Sequence, residues 1–258
     1  MKKLFIAKLF ILLFIVGCST ADKNSNDFSS LGEPATKDYI DHLASMGPVY
    51  LSSDEVKEIK LKTESVQLLE QIYERIISNN EILLSKANKP RFHVILNRTP
   101  FIFSLPKAQF FISSGLIEKY LKSEDLFVAA LTAEIIKSDR NIYEKRLMIP
   151  LGYQSTERMI QVTRLRPETK FQLNEWCYFV LKRSGFDASA YLNWIQVQNR
   201  NTLDFSLYLG DAIGISKEEH LFKNFMTKQG IASVEKKINE ANSSRAFYNL
   251  LNNIVRVR

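Results

Sequence analysis

This chain is short of the residues that carry most recognisable chemistry. Among 258 residues it has three histidines, two cysteines, nine glycines and seven prolines. There is no C-x-x-C pair, so a zinc knuckle or thioredoxin-type redox site is excluded. No glycine-rich phosphate loop occurs, which argues against a nucleotide-binding P-loop. The basic residues form no clustered patch with interleaved aromatics, so a nucleic-acid partner is a poor reading. Cys18 and Cys177 allow at most one disulfide. Scarce glycine beside seventeen phenylalanines and ten tyrosines favours a helix-rich fold over a β-sandwich. The composition, 45% hydrophobic and 24% charged, is enough for one sizeable core.

The amino terminus carries an address. Lys2 and Lys3 precede an apolar run from Leu4 to Val16, interrupted by Lys8 and too short for a comfortable membrane span. The run ends in Ile15-Val16-Gly17-Cys18, which resembles a bacterial lipobox. The resemblance implies a signal peptide over residues 1–17 and a lipid-modified Cys18 that anchors the mature chain. Ser19 follows the cysteine, with no aspartate there, which by resemblance points to the outer membrane of a cell envelope. An uncleaved N-terminal anchor is the alternative. Loss of Lys2, Lys3 and Lys8 lowers the formal charge from +7 to +4. With Cys18 acylated, Cys177 has no partner and reads as a small apolar side chain on a buried helix face. Residues 19–36 are polar and read as a tether, and the boundary of a single folded domain is drawn at residue 51, leaving 18–50 as lipidated cysteine and flexible arm.

The centre of the chain is Ser123 to Ser138. Ser123 can cap a helix, Glu124 and Asp125 suit its first turn, and apolar residues then cover every side. A helix apolar all round is buried. Glu134 sits in the middle of it, and a buried carboxylate requires a partner. Lys137, three residues on and on nearly the same face, is the expected partner.

This stretch resembles the active-site helix of the HtpX, CAAX-prenyl-protease and BepA-like zinc metallopeptidases (gluzincins), a segment such as S-E-D-E-L-A-A-V-L-A-H-E-x-x-H. Ser123, Glu124 and Asp125 match its start, Leu131 a leucine within it, and Glu134 the general base. Its two histidines fall on Ala133 and Lys137. A family segment N-A-F-x-L-P-G-G-x-I-F-V-x-x-G-L is similar to Phe103, Leu105, Pro106, Phe110, Phe111, Ile112, Ser113, Gly115 and Leu116, with the family asparagine at Phe101 and its glycine pair at Lys107 and Ala108. There the resemblance implies an edge strand, Phe110 to Ile112, lining a peptide cleft. Gly185-Phe186-Asp187 is similar to a third family anchor. Thirteen residues before Gly185 stands Gln172, where the family has its third zinc ligand, and a neighbouring aspartate falls on Asn174. The likeness spans roughly residues 90 to 200.

The implied fold is α+β, a zincin-like arrangement of helices and a small sheet. The implied chemistry is gone. Ala133 has no donor atom, a lysine ammonium has no lone pair, and Gln172 is a poor zinc ligand. His93 and His220 are isolated in the sequence. The expectation is a catalytically inactive pseudopeptidase, without cofactor, that binds a polypeptide or envelope-protein partner. In it Gln172 and Asn174 complete a neutral hydrogen-bonded network around Glu134 and Lys137. The alternatives are an active periplasmic zinc endopeptidase with other ligands, and a structural lipoprotein with a vestigial cleft.

Elsewhere the pattern predicts a short helix from Lys37 to Met46 stopped by Gly47-Pro48, a helix over Thr63–Ile77 and a strand over Arg91–Asn97. Further helices are expected over Phe171–Ser184 and Ala188–Gln198, with two more between Ser216 and Val255. Asp139 to Pro167 gives no clear pattern.

Overall fold

The helix that opens the fold is one that its sequence argues against. Helix α1, Lys37–Leu51, runs straight through Gly47 and Pro48. Proline lacks an N–H, so the carbonyl of Ala44 loses its helical donor. The Gln109 side chain replaces it, donating Nε2 to Ala44 O at 3.0 Å and to Pro106 O at 3.0 Å. Gly47 makes this approach possible: a Cβ there would lie 2.2 Å from Gln109 Oε1. The helix therefore continues because a tertiary contact supplies what the proline removed. Tyr39, Leu43, Met46 and Tyr50 of α1 are buried. The folded unit thus begins at Lys37 at the latest, and not at residue 51.

The computed structural model describes residues 37–85, 88–144, 151–152, 154–209, 212–230 and 243–255. The signal sequence, Cys18 and the tether lie outside the described residues. The described part belongs to one compact unit, Leu31–Arg258. Its other helices are α2 Thr63–Ser78, α3 Ser114–Lys119, α4 Glu124–Asp139, α5 Thr156–Thr163, α6 Pro167–Arg183, α7 Ala190–Arg200, α8 Ser206–Leu209, α9 Ala212–Lys228 and α10 Arg245–Val255. The strands are β1 Glu58–Ile59, β2 Arg91–Ile95, β3 Ile102–Leu105 and β4 Gln109–Ser113. The fold is α+β, with helices predominating over one four-stranded sheet. Among the described residues no helix is long and apolar enough to cross a membrane.

The sheet order is β1-β2-β4-β3. Strands β2 and β4 are parallel, and β1–β2 and β3–β4 are antiparallel. This corrects the expectation for Phe110, Phe111 and Ile112. They lie on β4, which is an inner strand, and β3 is the edge. Every residue of β4 is buried, which requires neighbours on both sides and cover on both faces. Strand alternation divides its side chains: Phe110 and Ile112 face the larger core, and Phe111 the smaller one under α1 and α5. The same alternation on β3 sends Phe103 and Leu105 to the smaller core, with Ile102 in the larger. Ser104, on the face of Ile102, is thereby aimed at α4.

The β3–β4 hairpin turns through Pro106, Lys107 and Ala108, with Leu105 paired to Gln109. Lys107 (φ 62°) and Ala108 (φ 55°) occupy the left-handed region, which favours glycine. After the hairpin, Ser113 caps α3 by accepting from Leu116 N at 3.1 Å and also accepts from Phe101 N at 2.9 Å. The stretch without clear pattern contains α5, capped by Ser155, whose hydroxyl accepts from Arg158 N. Residues 145–150 and 153 within it lie outside the described residues.

Candidate functional site

Helix α4 forms where its sequence dictates. Ser123 Oγ accepts from Leu126 N at 3.3 Å, and Glu124 and Asp125 occupy the first turn. The helix is buried from Leu126 to Ser138. It packs against α6, α7 and β3. Because it is enclosed, its two central charges are enclosed as well: the side chains of Glu134 and Lys137 are 3% and 5% exposed.

These charges meet. Lys137 Nζ lies 2.5 Å from Glu134 Oε2. Ser104 Oγ donates to the same oxygen at 2.8 Å, and Tyr143 OH lies 3.4 Å from Ser104 Oγ. On the other side, Tyr208 OH donates to Glu134 Oε1 at 3.5 Å. A buried carboxylate needs such donors to offset lost hydration. Ser138, next along the helix, is used structurally: its hydroxyl donates to Leu105 O at 2.7 Å and accepts from Ala108 N at 3.1 Å, tying α4 to the hairpin.

Glu134 and Lys137 line a cavity of about 50 Å³. Ala133 lines it too, and so do Lys170 and Leu173 of α6, Tyr191 and Trp194 of α7, Tyr208 of α8 and Glu218 of α9. A second ion pair lines the same cavity, with Lys170 Nζ 2.7 Å from Glu218 Oε2. Asn174 Nδ2 donates to Glu218 Oε1 at 2.7 Å, and Tyr191 OH donates to Asn174 Oδ1 at 2.7 Å. Two carboxylates and two ammoniums therefore share one small space, one pair within α4 and the other between α6 and α9.

The phenols and the thiol here are held neutral. Burial, then the carboxylates of Glu134 and Glu218, push Tyr208 well above the ordinary tyrosine range. Tyr191 is raised by burial first, then by Cys177 and Glu218. Burial pushes the Cys177 thiol far up as well, although Tyr191 hydrogen-bonds to it. A thiol so placed is inert, as a small apolar core residue is.

Of the residues singled out in the sequence, Ala133, Glu134 and Lys137 come together at the cavity. Asn174 is fully buried beside it, but its partners are Glu218 and Tyr191, not Glu134. Gln172 is half-buried and is not among the lining residues. His93 lies in β2, with Nδ1 2.7 Å from Glu58 Oε1, and His220 is exposed beside Asn224. Lys170, Glu218, Ser104 and Tyr208 were missed. For Lys170 a signal existed: it stands one helical turn before Asn174, on the same face. Glu218 and Tyr208 reach the site from distant segments, and no local pattern marks them.

The donor set does not fit a catalytic zinc. Such a site needs three neutral or anionic ligands and an open position. Here a methyl group occupies one expected position, and an ammonium already paired with Glu134 occupies another. A second ammonium, that of Lys170, stands opposite. Among the described residues no three His, Cys, Asp or Glu side chains are gathered as a metal would require. No protein-family model matches the chain, and no curated protein matches it.

Proposed function

We propose that this chain is a catalytically inactive, zincin-like lipoprotein of a bacterial envelope. It is anchored through Cys18 at the outer membrane, faces the periplasm and binds a polypeptide or envelope-protein partner there. One observation carries the reading. Glu134, which a hydrolase would use as general base, is held by the Lys137 ammonium at 2.5 Å and by Ser104 at 2.8 Å. A base must have a free lone pair aimed at a water that something polarises. Here Oε2 already accepts from two donors, and the residues at the ligand positions cannot replace a Lewis acid. The chemistry of the site is that of a stabilised ion-pair cluster, so what it offers a polypeptide is a surface and not a reaction.

The test uses the full chain in detergent. After zinc exposure and desalting, elemental analysis is expected to find no stoichiometric zinc, and a reduced, carboxymethylated polypeptide is expected to bind without being cut. One zinc per chain together with cleavage overturns the reading in favour of an active endopeptidase. Absence of both zinc and binding overturns it in favour of a structural lipoprotein with a vestigial cleft.

A further inference from the structure

A second pocket, about 160 Å³ in volume, lies between α10 and the start of α2. It is lined by Lys62, Glu64 and Ser65 on the α2 side and by Asn249, Asn252 and Asn253 of α10. None of these residues lines the Glu134 cavity. Phe247, Leu250 and Ile254 are buried and seat α10 against α2. Asn249 and Asn252, one turn apart on α10, stay exposed.

Asn253 is only 7% exposed, and its amide is oriented by two donors. Its Oδ1 accepts from Lys62 N at 2.6 Å and from Ser65 Oγ at 3.3 Å. It thereby caps α2 in place of Lys62, whose own side chain makes no cap bond. With Oδ1 committed, Nδ2 is the atom left for the pocket, and no described residue accepts from it. The Glu64 carboxylate and the amides of Asn249 and Asn252 are likewise without a partner among the described residues. A nearly enclosed donor without an acceptor favours a ligand that brings one.

The chemistry of these groups narrows the ligand. Lys62 and Glu64 offset each other, so neither an anion nor a cation is favoured. A metal ion would meet a single carboxylate and the Nδ2 donor of Asn253. No aliphatic or aromatic side chain lines the pocket, so an apolar group finds no wall. Each asparagine offers two N–H donors and a carbonyl acceptor, which suits a neutral molecule whose groups both donate and accept, as hydroxyls do. A cavity of about 150 Å³ takes a benzene ring, so this one admits a single six-membered ring.

We propose that this pocket binds the pyranose ring of a sugar. Ring hydroxyls accept from Asn253 Nδ2 and the neighbouring amides and donate to Glu64 and the asparagine carbonyls. The amides stand on a packed helix, so little ordering is needed on binding. The proposal does not rest on the reading of the ion-pair cavity, and the failure of either leaves the other standing.

The full chain is held in a zwitterionic detergent without a sugar headgroup. Saturation transfer is measured to the methyl glycosides of glucose, galactose, mannose and N-acetylglucosamine. Saturable transfer to at least one is expected, with the millimolar affinity of a single ring. Asn249→Ala combined with Asn252→Ala should weaken it at least tenfold at an unchanged melting temperature, since both side chains are exposed. Glu64→Gln should weaken it several-fold. Asn224→Ala, at an exposed asparagine of α9, should leave it unchanged. Sorbitol, an open-chain polyol, should not compete. No saturable transfer from any glycoside overturns the site, as does transfer that survives the double variant or is matched by sorbitol. Inorganic phosphate bound in place of the sugars, and lost with Lys62→Ala, overturns it too. A trisaccharide of the bound sugar then separates two sources of the ring. Tighter binding than the methyl glycoside identifies a unit of a polymeric glycan, and equal binding a free sugar.

Discussion

Lys137 Nζ lies 2.5 Å from Glu134 Oε2, three residues away on one helix, and both side chains are almost wholly enclosed. Removing either leaves the other charge poorly hydrated. Glu134→Ala is expected to destabilise by about 3–5 kcal/mol through the orphaned ammonium, and Lys137→Met by a similar amount through the orphaned carboxylate. The double variant should recover part of the loss, since no buried charge is left without its partner, although Ser104 and Tyr208 lose their acceptor. Urea unfolding of all four chains checks this, and additive losses would mean that the two charges act independently.

A second relationship crosses from α1 to β4. Gln109→Leu should cost about 1–3 kcal/mol, because the carbonyls of Ala44 and Pro106 lose their donor in a buried setting. In a Pro48→Ala background the loss should shrink, because residue 48 then has an N–H of its own for Ala44. Equal losses in both backgrounds would show that Gln109 does not stand in for the missing helical donor.

Arg75 closes the end of α6. Its Nε donates to Ser184 O at 2.7 Å and its Nη2 to Gly185 O at 3.0 Å, while the guanidinium lies 4.2 Å from the centre of the Phe186 ring. Arg75→Lys keeps the charge but cannot span both carbonyls, and a loss of about 2 kcal/mol is expected. Gly185 has φ +70°, and a Cβ there would lie 2.9 Å from Arg75 Nη2. Gly185→Ala should cost about 1–2 kcal/mol from the backbone alone. A thermal shift of under one degree in either variant would refute this cap.

The hairpin turn is strained at Ala108 (φ 55°). Ala108→Gly relieves the left-handed backbone, loses one buried methyl and loosens the unfolded chain, so it should stay within about 1 kcal/mol of the native chain. Ala108→Val puts a β-branched residue where such residues are outliers and should cost more than about 2 kcal/mol. Denaturation midpoints of the two variants separate these outcomes. A valine chain as stable as the glycine chain would mean that the turn is not held at this φ.

Alkali offers a fifth handle on the core, besides those three sites and the ion pair. Burial raises the phenols of Tyr50 and Tyr73 to about 12, and in Tyr50 a hydrogen bond with Thr156 works against this. A raised folded-state value means that the unfolded phenol ionises first, near 10. Stability contributed by these groups is thus intact below pH 10 and is lost as pH climbs from 10 to 12. Urea midpoints at pH 9 and pH 11 should show the fall, and Tyr73→Phe should reduce it. A flat profile would mean that these phenols are hydrated in the folded chain.

Local rules made much of the architecture legible. The serine at 123, the two acids behind it and the apolar run define α4 by contacts within a few residues, and the pairing of Lys137 with Glu134 follows from helical spacing alone. The helices beginning at Thr63 and near Phe171, Ala188 and Ser216 were visible for the same reason. Where a local rule failed, a distant group had intervened. Pro48 should end a helix, and does not, because Gln109 on β4 supplies the donor. The family resemblance implied an edge strand at Phe110 to Ile112, and the strand is an inner one, because Ile102–Leu105 pairs beside it and both faces are covered.

What the sequence alone determined, then, is α4 and most of the longer helices, the strands at Arg91 and Gln109, the buried acid at 134 and the lysine that answers it. These depend on spacings of two to four residues, and the chain carries them wherever it goes. Only the tertiary structure decided the order of the strands, the choice of Lys170 over Gln172 at the cavity wall, and the arrival of Glu218 and Tyr208. Asn174 meets Glu218 across 44 residues, and Glu134 meets Tyr208 across 74. At such separations no periodicity links the partners. Their meeting is fixed by how α6 and α7 pack on α4, α9 on α6 and α7, and α8 on α5 and α9, where the shared burial of apolar faces sets the geometry and the charges pair in what space remains.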